Sequence, residues 1–332
     1  MGQGPAIDSR HYIVAFELRG EDDCPPDFQL PSSLTSFDAG IFLPRDPPDW
    51  FGRSLYPPRL LLLNGNALDI VSHPSTGEPP CRWLMEQISS VESGHMLLKG
   101  WLRFTGSGFD YTIRYNTRGF GSVFRFMQRF RNKLLPGTEP RGDRTIHRSA
   151  GLDIKFASAL EREMDIGETI LMQVFQAPKE VTFRSWLIPR RRWIAGDLLA
   201  LTSRRLLWIT DRERGFYSRY GCIASYARFD AVLGVGLRSG PCGHILQVDL
   251  NGGSAWRIPI AFESQSDRQR LAEDFAAALE VQKRRKEGIV GRPIMAAPDL
   301  SRSGVDALES ASAGRIACPT KPLPHRCGAE RT

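Results

Sequence analysis

Two stretches of the chain set a pair of apolar runs around a polar hinge in one layout: LLLLNGNALDIVSH at residues 60–73 and LLALTSRRLLWITD at residues 198–211. The runs are too short for good helices and end in turn-prone residues, so each stretch reads as a β-hairpin. Leu60, Leu61, Leu63 and Leu68 stand in register with Leu198, Leu199, Leu201 and Leu206. The first hinge, NGN, supplies the positive φ that a tight hairpin turn requires; the second, SRR, is a poorer turn.

The segments that follow each hairpin also match in order. A short strand signal comes next, QISSV ending at Val91 and RFDAV ending at Val232. A long hairpin succeeds it: MLLKGWLRFTGSGFDYTIRY in one copy, HILQVDLNGGSAWRIPI in the other. Its return strand alternates, with Tyr111, Ile113 and Tyr115 on one face and Trp256, Ile258 and Ile260 on the matching face. Each copy closes with an amphipathic helix. The first, from about Phe120 to Leu135, carries Val123, Phe126, Met127, Phe130 and Leu134 as one stripe; the second, from near Ser266, carries Leu271, Phe275, Ala278 and Leu279. Recurrence of the same elements in the same order is how a duplicated domain looks.

A length of 332 residues and a hydrophobic fraction of 41% allow two domains, each with its own core. Composition divides the chain into block 8–137, a polar Pro- and Gly-bearing linker at 138–150, block 151–287 with a helical lead-in, and a tail at 288–332 that is expected to be disordered. Antiparallel strands closed by one helix pack most simply as a curled sandwich or barrel with the helix plugging an open end. The expected class is therefore mainly β with capping helices (α+β).

The second copy, from IKFASALEREMDIGETILM through GDLLALTSRRLLWITDR to AWRIPI and its helix, resembles the PH-like domains of bacteria, including the YokE-like type; the first copy resembles them more weakly. The resemblance implies two tandem PH-like β-barrel/sandwich domains, each closed by a C-terminal amphipathic helix, and a binding or scaffolding module rather than an enzyme. In PH-like folds the loop between the first two strands is a common ligand site, and FRSWLIPRRRWIAG at residues 183–196 falls near that place. Neither closing helix carries a tryptophan, and Asp46 and Asp49 interrupt Arg45, Arg53 and Arg59, so the phosphoinositide specificity of eukaryotic members is not expected.

That stretch is the most unusual local feature. It interleaves Phe183, Trp186 and Trp193 with Arg184, Arg190, Arg191 and Arg192, and Pro189 argues against a continuous helix. Aromatic tips beside arginines suit a membrane interface, where rings lie at headgroup depth and guanidinium groups pair with phosphates. The bland alternative makes Trp186 and Trp193 core residues of a strand pair and the arginines a solvated turn. A second basic patch lies on the first closing helix, where Arg125 and Arg129 are spaced i,i+4 with no acidic residue in the helix. A net charge of +7 favours an anionic partner. The expected partner is an anionic lipid surface or an unidentified protein met through a sheet edge or loop. No specific nucleic acid is expected: KRRK at 283–286 closes a helix, where cations favour the dipole.

No catalytic residue, metal ligand or cofactor is expected. The six cysteines form no C-x-x-C pair, and no ligand spacing joins the six histidines. Cys81 with His73 and Cys222 with His244 could be assembled as nucleophile pairs but lack any family context. GVGLRSG at 234–240 reads as a turn and not as a dinucleotide loop. With no apolar run near the ~20 residues of a membrane span and no signal peptide, the expected location is cytoplasmic, peripheral at the inner face of a membrane.

Overall fold

Antiparallel pairing generates every sheet of the computed structural model, which describes residues 13–45, 56–96, 99–135, 152–185, 188–213, 216–217, 221–240, 243–260 and 265–286. All pairings between strands are antiparallel, and the chain is mainly β. A five-stranded meander comes first: β1 (Phe16–Leu18), β2 (Ala39–Leu43), β3 (Arg59–Asn64), β4 (Ala67–Ser72) and β5 (Cys81–Leu84). A 3-10 turn at Met85–Gln87 leads to β6 (Ile88–Met96), β7 (Lys99–Gly106) and β8 (Phe109–Asn116), followed by helix α1 (Phe120–Leu134).

Helix α2 (Ile154–Glu163) precedes the second run of strands. These are β9 (Ile170–Gln176), β10 (Lys179–Ser185), β11 (Ile188–Ile194), β12 (Asp197–Thr202), β13 (Leu206–Thr210), the short β14 (Arg212–Glu213) and β15 (Phe216–Tyr217), and β16 (Ile223–Ala227). Another 3-10 turn, Phe229–Ala231, leads to β17 (Val232–Gly240), β18 (Gly243–Leu250) and β19 (Ala255–Ile260), and then to α3 (Gln265–Lys286). The linker and the tail expected at 138–150 and 288–332 lie outside the described residues.

Strand β16 pairs with β6, from Ile223↔Gly94 to Ala227↔Ser90. The result is one seven-stranded sheet, β8-β7-β6-β16-β13-β12-β9, that runs across both halves of the chain. The sheets are open, and no closed barrel forms among the described residues. One core joins the halves: Leu61, Leu63 and Ile70 from the five-stranded sheet meet Leu102 and Phe104 of β7, Leu198 and Ile209 of β12 and β13, and Phe126, Phe130, Phe156 and Leu160 of the first two helices. Continuous apolar runs such as LLLL are explained by burial on both faces. Leu61 and Leu63 face that shared core, whereas Leu60 and Leu62 face a second cluster with Phe28 and Leu34. In the same way Leu198 and Ala200 face the shared core, while Leu199 and Leu201 face a third cluster with Trp256, Phe275 and Leu279.

Two expectations about strands are corrected. QISSV and RFDAV do not end as short strands at Val91 and Val232, because β6 and β17 run on from Ile88 and Val232 for nine residues each. GVGLRSG is not a turn but most of β17: Val235 and Leu237 alternate toward the third cluster, and Gly234 and Gly236 occupy positions between them. Two glycines in one stretch mimic turn chemistry although the alternation is that of a strand.

Candidate functional site

The chain leaves β9 at Gln176, runs out along β10, returns along β11 and enters β12 at Asp197. Among the described residues β10 and β11 pair only with each other. With seven residues per strand the hairpin extends about 23 Å at 3.3 Å per residue. Its register sets Arg184 opposite Pro189, Phe183 opposite Arg190, Thr182 opposite Arg191, Val181 opposite Arg192 and Glu180 opposite Trp193. The arginine run is thus part of a strand and not of a turn, a correction to the bland alternative. Pro189 fits because an edge strand can spare an N–H. Trp186 lies outside the described residues, as do the side chains of Arg184, Arg190, Arg191, Arg192 and Trp193.

The base of this hairpin is firmly fixed. A Cβ on Gly196 would come within 2.8 Å of the Phe156 ring and 3.1 Å of Pro178 Cδ, so glycine lets the chain pass from β11 to β12 close against α2 without displacing that ring. The Gly196 N–H donates to Asp211 Oδ1 at 2.8 Å, and the Thr210 hydroxyl donates to the Gly196 carbonyl at 3.2 Å. Lys155 Nζ stands 3.4 Å from the other Asp211 oxygen, and Trp208 Nε1 donates to Asp197 Oδ1 at 2.9 Å. Burial pushes the Asp211 carboxyl up, against the pull of Lys155 and the Gly196 N–H.

Arg125 and Arg129 are 57% and 53% exposed on α1, and both engage Glu17 of β1. Arg125 Nε donates to one carboxylate oxygen, and Arg129 Nη1 lies 3.3 Å from the other. One carboxylate far away in sequence therefore offsets part of the charge of this patch. At the other end of the chain, Lys283 donates to Glu280 at 2.8 Å, so the KRRK run is partly paired along its own helix.

Sequence reasoning missed a buried ionic network, and it explains why SRR stands where a better turn was expected. Arg205, fully buried, reaches Glu168 through Nε at 3.0 Å and Nη2 at 2.7 Å, and also donates to the Glu163 carbonyl. Arg131 of α1, 1% exposed, donates to Glu163 Oε2 at 2.6 Å. Arg204 donates to the Leu135 carbonyl at 2.7 Å and lies 3.4 Å from Asp165. The guanidinium groups of Arg205 and Arg131 flank the Tyr226 ring at 5.4 and 5.9 Å. Burial alone would raise the Glu168 carboxyl, but Arg205, the Asp165 N–H and the Thr202 hydroxyl outweigh it and hold it below the usual carboxylate range. The turn itself is tightened by Thr202 Oγ1, which accepts from Arg205 N at 3.0 Å. Helix α1 is thereby joined to the end of α2, the segment before β9 and the β12–β13 turn by ion pairs, with the Tyr226 ring of β16 between two of the guanidinium groups. The signal was present in the sequence only as EREMDIGE and SRR, with nothing to say that they meet.

The nucleophile pairs do not assemble. Both His73 nitrogens are engaged, Nδ1 by Ser75 at 2.7 Å and Nε2 by Asp27 at 2.9 Å, and Cys81 Sγ points to the Pro79 carbonyl. Cys222 precedes β16 and His244 lies on β18, in different sheets. Burial pushes the Cys222 thiol up. Among the described residues no helix is long and apolar enough to cross a membrane. No protein-family model matches the chain, and no curated protein shows significant similarity to it.

Proposed function

We propose that the chain is a non-enzymatic binding module of two tandem PH-like domains, residues 8–137 and 151–287, that attaches to an anionic membrane surface from the cytoplasmic side. Support for the tandem reading comes from the element order: four strands of a meander, a 3-10 turn, three more strands and a helix occur as β2 to α1 and, with β10, β11, β14 and β15 inserted, as β9 to α3. The observation that carries the membrane reading is the β10–β11 hairpin. It is inserted between the first two strands of the second meander, pairs with nothing else described, and bears Arg184, Arg190, Arg191, Arg192, Trp193 and, between its strands, Trp186.

Basic residues near an anionic surface contribute about 1 kcal/mol each, so Arg190 to Arg192 offer roughly 3 kcal/mol, or about two decades of affinity. Arg125 and Arg129 add less because Glu17 holds both. The test is co-sedimentation with neutral and anionic vesicles at low and high salt, for the native chain and for Arg190→Ser/Arg191→Ser/Arg192→Ser/Trp186→Ser. Salt-sensitive binding to anionic vesicles that the variant loses supports the reading; no binding by well-folded protein retires it. A second reading, a scaffold that binds protein and not lipid, is favoured by one observation: among the described residues β17 is paired on one side only.

A further inference from the structure

Strands β6 and β17 are built on one frame. Each has nine residues, each carries an irregularity after its first residue, and each is followed, two residues on, by an antiparallel strand of eight. They differ at the outer edge. β6 carries β16 there, whereas β17 pairs only with β18 among the described residues. We propose that the outer edge of β17 is a strand-addition site, which takes an extended segment of a partner protein in the antiparallel place that β16 holds on β6.

The backbone groups fit this role. Met96↔Lys99 and Gly240↔Gly243 are paired across only two intervening residues, the spacing of a hydrogen-bonded pair from which the ladder alternates. Val91 and Ser93 of β6 therefore send their N–H and C=O groups outward to Tyr226 and Ala224, the residues opposite them. Val235 and Leu237 hold the equivalent places on β17, and no partner for their outward groups occurs among the described residues. Helix α3 packs on the inner face, where Leu271, Phe275 and Leu279 share a cluster with Val235 and Leu237.

Side chains define what would bind. A Cβ on Gly234 or Gly236 would meet nothing within 4 Å, so the outer face has room for bulky neighbours. Leu233, 65% exposed at the strand irregularity, lines a groove of about 390 Å³ with Gly234, Asp249, Leu250, Gly253 and Ser254. Arg238 is exposed at the far end. The matching segment has apolar residues opposite Leu237 and Val235, residues of any size opposite Gly236 and Gly234, and an acidic residue opposite Arg238. Main-chain bonds supply affinity in such additions, and alternate side chains supply specificity. The β5 strand of a second copy does not qualify. This strand, the counterpart of β16, is preceded by Pro79 and Pro80, which have no N–H to give, and the Leu84 N–H already donates to Gln87 Oε1 at 3.0 Å.

The probe is a fluorescein-labelled peptide of residues 221–228, with Ser in place of Cys222, added to the full chain, whose β6 is filled by its own β16. Saturable binding by anisotropy is expected, with slower hydrogen exchange at 232–240. N-methylation of the peptide at its Ala224 and Tyr226 positions removes the donors and weakens binding about tenfold or more. N-methylation at Ser225 changes it by less than about twofold. Asp in the Ile223 position, opposite Arg238, tightens binding, and Arg238→Glu in the protein reverses that gain. Absence of saturable binding up to about 1 mM peptide, equal effects of all three N-methyl groups, or protection confined to other segments overturns the proposal.

Discussion

Replacing Glu168 by Gln keeps the shape of the buried side chain and removes its charge, leaving Arg205 fully buried beside a neutral amide. In the native chain this carboxylate accepts Arg205 Nε and Nη2 at 3.0 and 2.7 Å, the Thr202 hydroxyl at 2.6 Å and the Asp165 N–H at 2.9 Å. Removing one partner of such a buried pair costs about 3–5 kcal/mol, because the remaining charge has been taken out of water without its counterion. Asp165, at 3.6 Å from Arg205 Nη2, softens the loss, which argues for the lower end of that range. For a folded region of this size that is a fall of roughly 6–12 °C in Tm. Exchanging both partners, Arg205→Met with Glu168→Leu, leaves no uncompensated guanidinium and is expected to recover part of the loss, the remainder coming from the Thr202 hydroxyl and Asp165 N–H that lose their acceptor.

The pH dependence gives a second handle on the same substitution. The folded-state pKa of Glu168 is depressed, so its contribution is fully present above the unfolded value of about 4.3 and disappears as pH falls through the folded value. The stability gap between the native chain and Glu168→Gln, measured by urea unfolding with tryptophan fluorescence, should be constant from pH 6 to 7 and narrow below about pH 4. A gap under about 1 kcal/mol at pH 7, or one that widens in acid, would refute the reasoning.

Other consequences can be measured on the same material. Gly196→Ala should lower stability by about 1–3 kcal/mol, since a methyl would press on the Phe156 ring, whereas Gly236→Ala should change it by less than about 1 kcal/mol; thermal unfolding of the pair compares them. Glu17→Gln releases two arginines that are both more than half exposed, so less than about 1 kcal/mol is expected in urea unfolding despite two broken ion pairs. Burial, with Glu21 and Asp23 nearby, pushes the Cys24 thiol up to about 11; its peptide should alkylate slowly with iodoacetamide at pH 8 and faster as pH approaches 11, read by mass spectrometry.

Much of the fold was legible because the hydrophobic pattern is local. The strand pairs around Asn64–Asn66 and Ser203–Arg205, the stripe of α1 and the alternation of Tyr111, Ile113 and Tyr115 could all be read within a few residues of sequence. Gly65 takes the positive φ that NGN announced. What escaped notice depends on contacts far apart in the chain. That β16 would pair with β6 could not be seen from two strands that are each plausible on either side of a sheet. Glu17 between Arg125 and Arg129, and Glu168 on Arg205, join residues whose charges look solvated until the fold buries or pairs them. GVGLRSG failed for the opposite reason, since the glycines overrode an alternation that was present. At the candidate site, the pairing of 179–185 with 188–194 as two seven-residue strands, arginines included, goes beyond what the aromatic and arginine pattern announced, which was a loop between strands or a strand pair with the arginines in its turn.

The most direct test of the central claim is to excise the hairpin from the full chain, joining Gln176 to Gly196 through a short Gly/Ser bridge, and to measure Tm and anionic-vesicle binding on the same preparation. Because β10 and β11 pair only with one another among the described residues, the account predicts a nearly unchanged Tm and loss of salt-sensitive vesicle binding. Vesicle binding that survives the excision in a folded protein would contradict it.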